Sequence, residues 1–197
     1  MSIARGNSGR RGATRFGGQP KGLERVRGGR ILDRLVEEFT AAFGQPPLLV
    51  ANDPAAHEWH PGLEVVADHA PGLGALGGIQ TAVLAGPAPV VVVAWDMPFV
   101  TRGLLERLAQ GLAGHDACLP ASDSRRGVEP LCAAYGPACG PAIAAALARG
   151  DQRAIGFHQG LRVGILPVEE VAAIGDPARL FFNINTPDDL TRANELA

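Results

Sequence analysis

The sequence predicts an α/β fold, a three-layer αβα sandwich around a mostly parallel central sheet. Strand-like and helix-like patterns alternate along the 197 residues, which is typical of parallel strands joined by right-handed crossovers. The run Val90–Ala94 shows no polar alternation, as expected of a strand buried on both faces. Asp96 follows this run directly. We therefore expect its carboxylate at the carboxyl edge of the sheet, where open α/β sheets bind ligands.

The remaining elements follow from the same patterns. Apolar residues between positions 28 and 39 recur at helical spacing. Thr186 followed by Pro187 is typical of a helix N-terminus and predicts a last helix from there. The other predicted strands are 48–51, 63–67, 116–119, 130–135 and 162–166, and the other predicted helices are 76–85, 104–112 and 141–149.

Length and composition favour one globular domain over residues 1–197, with 46% hydrophobic and 19% charged residues. No apolar run approaches the roughly 18 residues that cross a bilayer. Residues 1–30 contain no apolar segment of a signal peptide. Three cysteines without a CxxC pair indicate neither a disulfide framework nor a zinc site. We therefore expect a cytoplasmic protein that does not bind membranes.

Positive charge is concentrated at the start of the chain. Residues 1–30 contain eight arginines and lysines against Glu24 alone, although the formal net charge of the whole chain is −2. Such a cluster suits a nucleic-acid-binding arm, a transit peptide, a pocket for an anionic small molecule or a solvated tail. From Gly12 onward the glycines and charges become patterned, which disfavours a solvated tail. We expect no nucleic-acid partner.

The segment 12–21 is the first candidate site. Its glycines let backbone N–H groups approach phosphate oxygens, while Arg15 and Lys21 can neutralise a triphosphate and a leaving pyrophosphate. It is not a P-loop, because no GxxxxGK[ST] pattern can be aligned on it. A flexible basic loop explains the bare pattern equally well.

A second glycine-rich segment, residues 72–77, spells GxGxxG, and Asp96 follows at about the distance of the acid in a dinucleotide-binding fingerprint. Three residues separate its first glycine from Asp68, near which the preceding predicted strand ends. This separation disfavours the fingerprint, and a turn that lets the next helix pack closely is an alternative. Asp68 is expected as a second carboxylate at the same sheet edge as Asp96.

Polar residues elsewhere add further candidates. Asn183 and Asn185 flank one apolar residue, so an extended backbone would aim both amides at a common ligand or metal-bound water. Glu129 is either a polar wall of the cleft or an exposed loop acid. The spacing of His57 and His60 is not that of HExxH, and we expect a surface loop there.

Taken in order, these segments resemble the molybdenum cofactor guanylyltransferase family, MobA-like NTP transferases with a Rossmann-like fold of the nucleotidyltransferase type. The segments Asp96-Met97-Pro98-Phe99 and Asn183-Ile184-Asn185-Thr186-Pro187-Asp188-Asp189 are the most specific. The other matching segments are 13–23, 28–33, Asp68 with 74–79, and 129–131 with Tyr135. Together they span nearly the whole chain.

The resemblance implies transfer of GMP from GTP to molybdopterin (Mo-molybdopterin), with release of pyrophosphate, in molybdopterin guanine dinucleotide biosynthesis. It implies that Mg²⁺ is the cofactor, and that GTP, molybdopterin and other proteins of cofactor biosynthesis are the partners. By resemblance, the catalytic residues are Lys21, Arg15 and Asp96, and Asp96 also binds the metal. The resemblance assigns nucleotide binding to Gly12, Arg15, Lys21, Asp68, Gly77, Gly78 and Asp96. The side chains that it implies face molybdopterin are Asn183 and Asn185.

Residues 1–11 depart from the family, which opens with an apolar strand that runs into Leu-Ala-Gly-Gly. The aligned residues here are Ser8-Gly9-Arg10-Arg11, and no apolar strand is predicted before them. Two explanations stay open: a disordered or damaged first strand, or a retained fold whose activity is lost or changed. The alternatives in the second case are a non-catalytic molybdopterin- or partner-binding protein, and a nucleotidyltransferase that uses CTP or a sugar phosphate.

Overall fold

The computed structural model describes residues 2–4, 20–86 and 88–197. In chain order, the strands are β1 (Ser2–Ala4), β2 (Arg25–Val26), β3 (Gly29–Arg30), β4 (Leu48–Val50), β5 (Val65–Val66), β6 (Val90–Ala94), β7 (Ala117–Pro120), β8 (Cys132–Tyr135) and β9 (Val163–Leu166). Seven of them form one sheet in the order β5-β4-β1-β6-β8-β7-β9, and β2 pairs with β3 in a separate antiparallel hairpin.

The seven-stranded sheet is mostly parallel, as predicted. β8 is antiparallel to both of its neighbours, β6 and β7, and the other neighbouring strands run parallel. The carboxyl ends of β5, β4, β1 and β6 therefore lie along one edge of the sheet. This edge carries the residues that follow β4, β5 and β6.

Helices cover both faces of the sheet. They are α1 (Ile31–Phe43), α2 (Gly74–Leu84), α3 (Arg102–Gly111), α4 (Cys139–Ala148), α5 (Val168–Ile174), α6 (Pro177–Leu180) and α7 (Pro187–Leu196). On one face, α1 and α3 share a core cluster with Val91 and Val93 of β6. On the other face, α2 and α4 share a second cluster with Val90 and Val92 of the same strand. The predicted three-layer sandwich is confirmed, and β6 is buried on both faces, as its sequence indicated.

The first strand is a difference from the sequence prediction, in which residues 1–11 contained no apolar strand. β1 lies at the centre of the sheet, where Ile3 is in register with Leu49 of β4 and Val93 of β6. Parallel partners on both sides provide hydrogen bonds that do not depend on the apolarity of the strand, so tertiary context outweighs the weak local propensity. The segment Ser8–Arg11 lies outside the described residues.

The sequence also did not predict the β2–β3 hairpin. We expected a helix from position 28, but α1 begins only at Ile31, after the two-residue turn formed by Arg27 and Gly28. Both turn residues have positive φ, 45° and 82°, and Arg27 replaces the glycine or asparagine that usually marks such a turn. Its backbone N–H donates to Asn194 Oδ1 at 2.7 Å, which holds the hairpin against α7.

The last helix begins where the sequence predicted. Thr186 caps α7, its hydroxyl accepting from Asp189 N at 3.1 Å, while the Asp189 carboxylate accepts from Thr186 N at 2.8 Å. This capping box stabilises the helix N-terminus and fixes the residues just before it. Within the described residues, no helix is long and apolar enough to cross a membrane.

Candidate functional site

Asp96 lies two residues beyond the end of β6, at the carboxyl edge of the sheet. It is only 4% exposed. Its own carbonyl accepts a hydrogen bond from Ile184 N at 2.9 Å, which ties this segment to the stretch leading into α7. The strand thus places Asp96 at the carboxyl edge of the sheet, as predicted, and the structure shows in addition that the residue is buried.

Lys21 approaches the same carboxylate from a short 3₁₀ turn, Lys21–Leu23. Its ammonium lies 3.1 Å from Asp96 Oδ2 and donates to Asn185 Oδ1 at 2.8 Å. The turn packs closely, since a Cβ on Gly22 would lie 3.4 Å from the Trp95 side chain. Residues far apart in sequence therefore meet in one cluster, which we call the Lys21–Asp96–Asn185 cluster.

The electrostatics of the cluster reflect opposing effects. Burial raises the pKa of Asp96, and the charge and hydrogen bond of Lys21 partly offset this rise. Burial likewise raises the pKa of Glu129, and the nearby negative charge of Asp96 adds to that effect while Arg126 opposes it. Glu129 is half-buried, which disfavours a freely solvated loop acid at this position.

Asp96 is suited to hold a hard cation. Its second oxygen, Oδ1, is buried and has no hydrogen-bond partner among the described residues. Within residues 20–86 and 88–197, no three His, Cys, Asp or Glu side chains gather into a metal-ligand cluster. One carboxylate is nevertheless sufficient where substrate phosphates complete the coordination, as is usual for Mg²⁺.

Asp68 follows β5 at the same edge but does not join Asp96. Three strand spacings, about 14 Å, separate β5 from β6. Asp68 instead pairs with Asn52, which follows β4: Asn52 Nδ2 donates to Asp68 Oδ2 at 2.7 Å, and Asp68 N donates to Asn52 Oδ1 at 2.8 Å. The two carboxylates can contact distant parts of one extended ligand, but they cannot share one metal ion.

Gly77 and Gly78 are buried in the first turns of α2. A Cβ on Gly77 would lie 3.1 Å from Leu73 Cβ and 3.3 Å from the Ala70 carbonyl oxygen. Gly77 therefore fits the alternative in which this glycine-rich segment forms a turn that lets the next helix pack closely. The helix starts at Gly74, and β5 ends at Val66, so the first glycine of GxGxxG does not follow the strand.

The two asparagines of the segment before α7 have different partners. Asn185 binds Lys21, and its backbone N–H donates to Asp189 Oδ2 at 3.0 Å. Asn183 donates through Nδ2 to the carbonyl of Phe181 at 2.9 Å. The structure therefore brings Asn185, but not Asn183, into the Lys21–Asp96–Asn185 cluster.

Among the other candidates, Gly12 and Arg15 lie outside the described residues. The histidine segment forms a 3₁₀ turn, Pro54–Glu58, with His57 exposed and Trp59 buried. Sequence reasoning missed Asn52. The signal was present, because Asn52 follows its strand as Asp68 follows the neighbouring one, and the ends of adjacent parallel strands meet.

An α/β sheet that carries a buried carboxylate beside a lysine at its carboxyl edge fits the class of nucleotide-dependent transferases. Such sites act by positioning phosphates and neutralising their charge. The comparisons with known proteins agree with this class.

Residues 9–163 match the model of the MobA-like NTP transferase domain. The molybdenum cofactor guanylyltransferase of Cereibacter sphaeroides is 34% identical over 98% of this chain and 94% of its own length. The probable molybdenum cofactor guanylyltransferase of Pelotomaculum thermopropionicum is 31% identical over 94% of this chain and 89% of its own length.

A solved structure gives the same result. The molybdopterin-guanine dinucleotide biosynthesis protein A of Archaeoglobus fulgidus is 30% identical and superposes with a TM-score of 0.79, covering 100% of this chain and 98% of its own. The chain belongs to the MobA-like NTP transferase family. This family consists of nucleotidyltransferases, so the fold and the enzyme class predicted from the sequence are confirmed.

Proposed function

We propose that this chain transfers GMP from GTP to molybdopterin, in its Mo-molybdopterin form, and releases pyrophosphate. The observation that carries the proposal is the Lys21–Asp96–Asn185 cluster at the carboxyl end of the central strand. Relatives named as guanylyltransferases over nearly the whole chain supply the choice of substrates. The reaction belongs in a reducing cytoplasm, in keeping with three buried cysteines that are all free thiols.

Lys21 suits a role in holding the triphosphate. An ammonium group has three donors, and two of them are used, by Asp96 and Asn185. No described residue accepts from the third, which would bind a phosphate oxygen of the nucleotide. Because Lys21 is only 14% exposed in its side chain, its interaction with phosphate would be weakly screened by solvent. Arg15 and Gly12 are proposed to complete the phosphate-binding loop.

Asp96 would hold Mg²⁺ through the oxygen that has no partner among the described residues. When bound, the ion supplies positive charge against the triphosphate and the pyrophosphate that leaves. Asp68 and the start of α2, with Gly77 and Gly78, would contact the nucleoside part of the substrate. Asn183 would lie on the molybdopterin side, and Asn185 would join Lys21 to that side.

The reaction needs no nucleophile from the protein. An oxygen of the terminal phosphate of molybdopterin attacks the α-phosphorus of GTP, and the bond between that phosphorus and the bridging oxygen to the β-phosphate breaks. GMP stays on the acceptor, and pyrophosphate leaves with the electron pair. The role of the protein is alignment and charge neutralisation.

The test replaces Asp96 by asparagine. Asp96→Asn removes the charge but keeps the shape, and we expect pyrophosphate release with GTP and Mo-molybdopterin to fall about 100-fold or more. The variant keeps an oxygen that can accept from Lys21, and its thermal unfolding midpoint is measured alongside to check that it is folded. Asp123→Asn, at an exposed loop acid, is the matched control and should retain full activity.

Undiminished turnover of Asp96→Asn would refute the assignment of Asp96. The same assay with each of the four NTPs separates the alternatives: release with CTP alone would reassign the nucleotide. Binding of molybdopterin without affinity for any NTP would identify a binding protein instead of an enzyme.

A further inference from the structure

Two side chains close a hydrogen-bonded ring across the ends of β4 and β5. The regular ladder between these strands continues to Ala51, whose N–H donates to the Val66 carbonyl at 2.9 Å. Beyond that point, Asn52 replaces the backbone: it accepts from Asp68 N at 2.8 Å and donates to Asp68 Oδ2 at 2.7 Å. The pairing of the two strands is thus extended by one step through a side-chain amide.

This ring fixes one carboxylate in a single orientation. Asp68 cannot rotate about its side-chain bonds without losing the bond to the Asn52 amide. Its other oxygen, Oδ1, is buried and has no partner among the described residues. Asn52 thereby occupies one oxygen and leaves the other as an acceptor.

The next residue is held from the opposite side. His69 N donates to Thr81 Oγ1 at 2.8 Å, and the same hydroxyl donates to the Gly77 carbonyl at 3.0 Å. Thr81 is 6% exposed, so this connection lies inside the packing of α2. The segment 68–69 is therefore held by Asn52, which follows β4, on one side and by Thr81 of α2 on the other.

We propose that Asn52 is a positioning residue for nucleotide binding, which orients Asp68 so that its free oxygen accepts a hydrogen bond from a hydroxyl or N–H donor of the nucleoside. The proposal rests on the proposed function, because it takes Asp68 as part of the nucleotide site. Asn52 itself is exposed and acts through Asp68. An amide suits this role, since only a side chain that both donates and accepts can close the ring.

The first experiment measures equilibrium binding of GTP to the full chain, together with KM and kcat in the pyrophosphate-release assay. Asn52→Ala should weaken GTP binding and raise KM about tenfold, as expected when a group that orients a binding side chain is lost. The value of kcat should stay within about twofold of wild type, because the reacting phosphates lie at the other end of the nucleotide. Equal losses in KM and kcat would overturn the proposal.

Asn194→Ala is the matched control. Asn194 is also an exposed asparagine that joins two elements, by accepting from Arg27 N at 2.7 Å. It lies in α7 and takes no part in the proposed site. This variant should bind GTP as the wild type does, which separates the loss of one bridging asparagine from the loss of Asp68 positioning.

An exchange of the two side chains distinguishes positioning from structural support. In the double variant N52D/D68N, the ring can still close, but the carboxylate sits on the other strand. We expect its thermal unfolding midpoint to match that of the wild type and its GTP affinity to remain low. Restored GTP affinity in this variant would show that only the ring matters, and the proposal would be wrong.

Asp68→Asn separates this inference from the proposed function. If Asp68→Asn binds GTP less well and Asn52→Ala binds normally, the inference about Asn52 alone fails. If Asp68→Asn binds GTP as the wild type does, Asp68 is not in the nucleotide site and the inference falls with it. If GTP binding responds as expected but the wild type releases no pyrophosphate, the proposed transfer fails and the role of Asn52 stands.

Discussion

Asp96 shows how one side chain balances burial against charge. Removal from water favours its neutral form, and a single ammonium at 3.1 Å opposes that preference. The carboxylate is therefore held by Lys21 on one oxygen and left without a described partner on the other.

The pair of asparagines shows the limit of a spacing argument. Alternate positions on an extended segment point to one side, which led us to expect a shared target. Asn183 instead binds the carbonyl two residues earlier in its own chain, while Asn185 reaches Lys21. Short amide side chains readily bond to nearby backbone groups, and residue spacing alone does not reveal that competition.

A pH-dependent effect is expected at Asp151. Its carboxylate accepts from Arg153 N and from the Arg153 guanidinium, which lowers the pKa of Asp151 from 3.8 to about 2. Because the folded pKa is the lower one, this stabilisation is present above about pH 4 and is lost as the pH falls toward 2. Asp151→Asn should therefore lose less stability than the wild type over that interval, measured by urea unfolding at several pH values.

Asp123→Asn is the control for this experiment, since Asp123 is an exposed loop acid. It should keep the acid sensitivity of the wild type. Equal acid sensitivity of Asp151→Asn and the wild type would show that the contact with Arg153 does not contribute.

Helix α2 depends on a glycine that helix propensity would disfavour. Gly77 allows the helix to lie against the Ala70 carbonyl, whereas Gly140 of α4 has room: a Cβ there would lie 3.6 Å from Val83 Cγ1. Gly77→Ala should therefore destabilise the fold by about 1 kcal/mol, because crowding outweighs the propensity gain. Gly140→Ala should stabilise it by about 0.5–1 kcal/mol, because alanine loses less backbone entropy.

The free energy of unfolding in urea tests this matched pair of glycines. A gain in stability from Gly77→Ala would show that α2 shifts freely relative to the preceding loop. In that case the packing explanation of the glycine-rich segment would be incorrect.

Elements whose pattern lies within a few neighbouring residues were predicted, and an element that depends on a contact distant in sequence was missed. The continuous β-branched run gave β6 with correct bounds, and Thr186 with Pro187 gave the start of α7. The β2–β3 hairpin was missed because Arg27 occupies a turn position with φ of 45°, and its stabilising contact with Asn194 is far away in sequence. No local pattern records such a contact.

At the scale of the whole molecule, β1 connects the two halves of the seven-stranded sheet. It is the strand between β4 and β6, so the half of the sheet that carries Asn52 and Asp68 is joined through it to the strand that carries Asp96. The residues of β1 do not by themselves indicate a central strand, because the strands that pair with β1 lie more than 40 positions further along the chain. The resemblance assigned both Lys21 and Asp96 to catalysis, and the structure brings the two side chains into contact.

Replacing Ile3 by proline tests this central place. Proline lacks the backbone N–H and disrupts a ladder that has partners on both sides, so Ile3→Pro should destabilise the fold by about 3 kcal/mol or more. Ile3→Val keeps the N–H and should stay close to the wild type. Chemical denaturation of both variants provides the measurement, and equal stability of the two would mean that β1 contributes little to the sheet.

The two neighbouring tryptophans give the molecule an intrinsic fluorescence signal. Trp59 and Trp95 are the only tryptophans in the chain, and their ring centroids lie 5.1 Å apart. Trp95 precedes Asp96, and both rings are nearly buried. All indole emission therefore originates from one pair beside the proposed metal ligand, so a titration with nucleotide can be followed by intrinsic fluorescence without attaching a label.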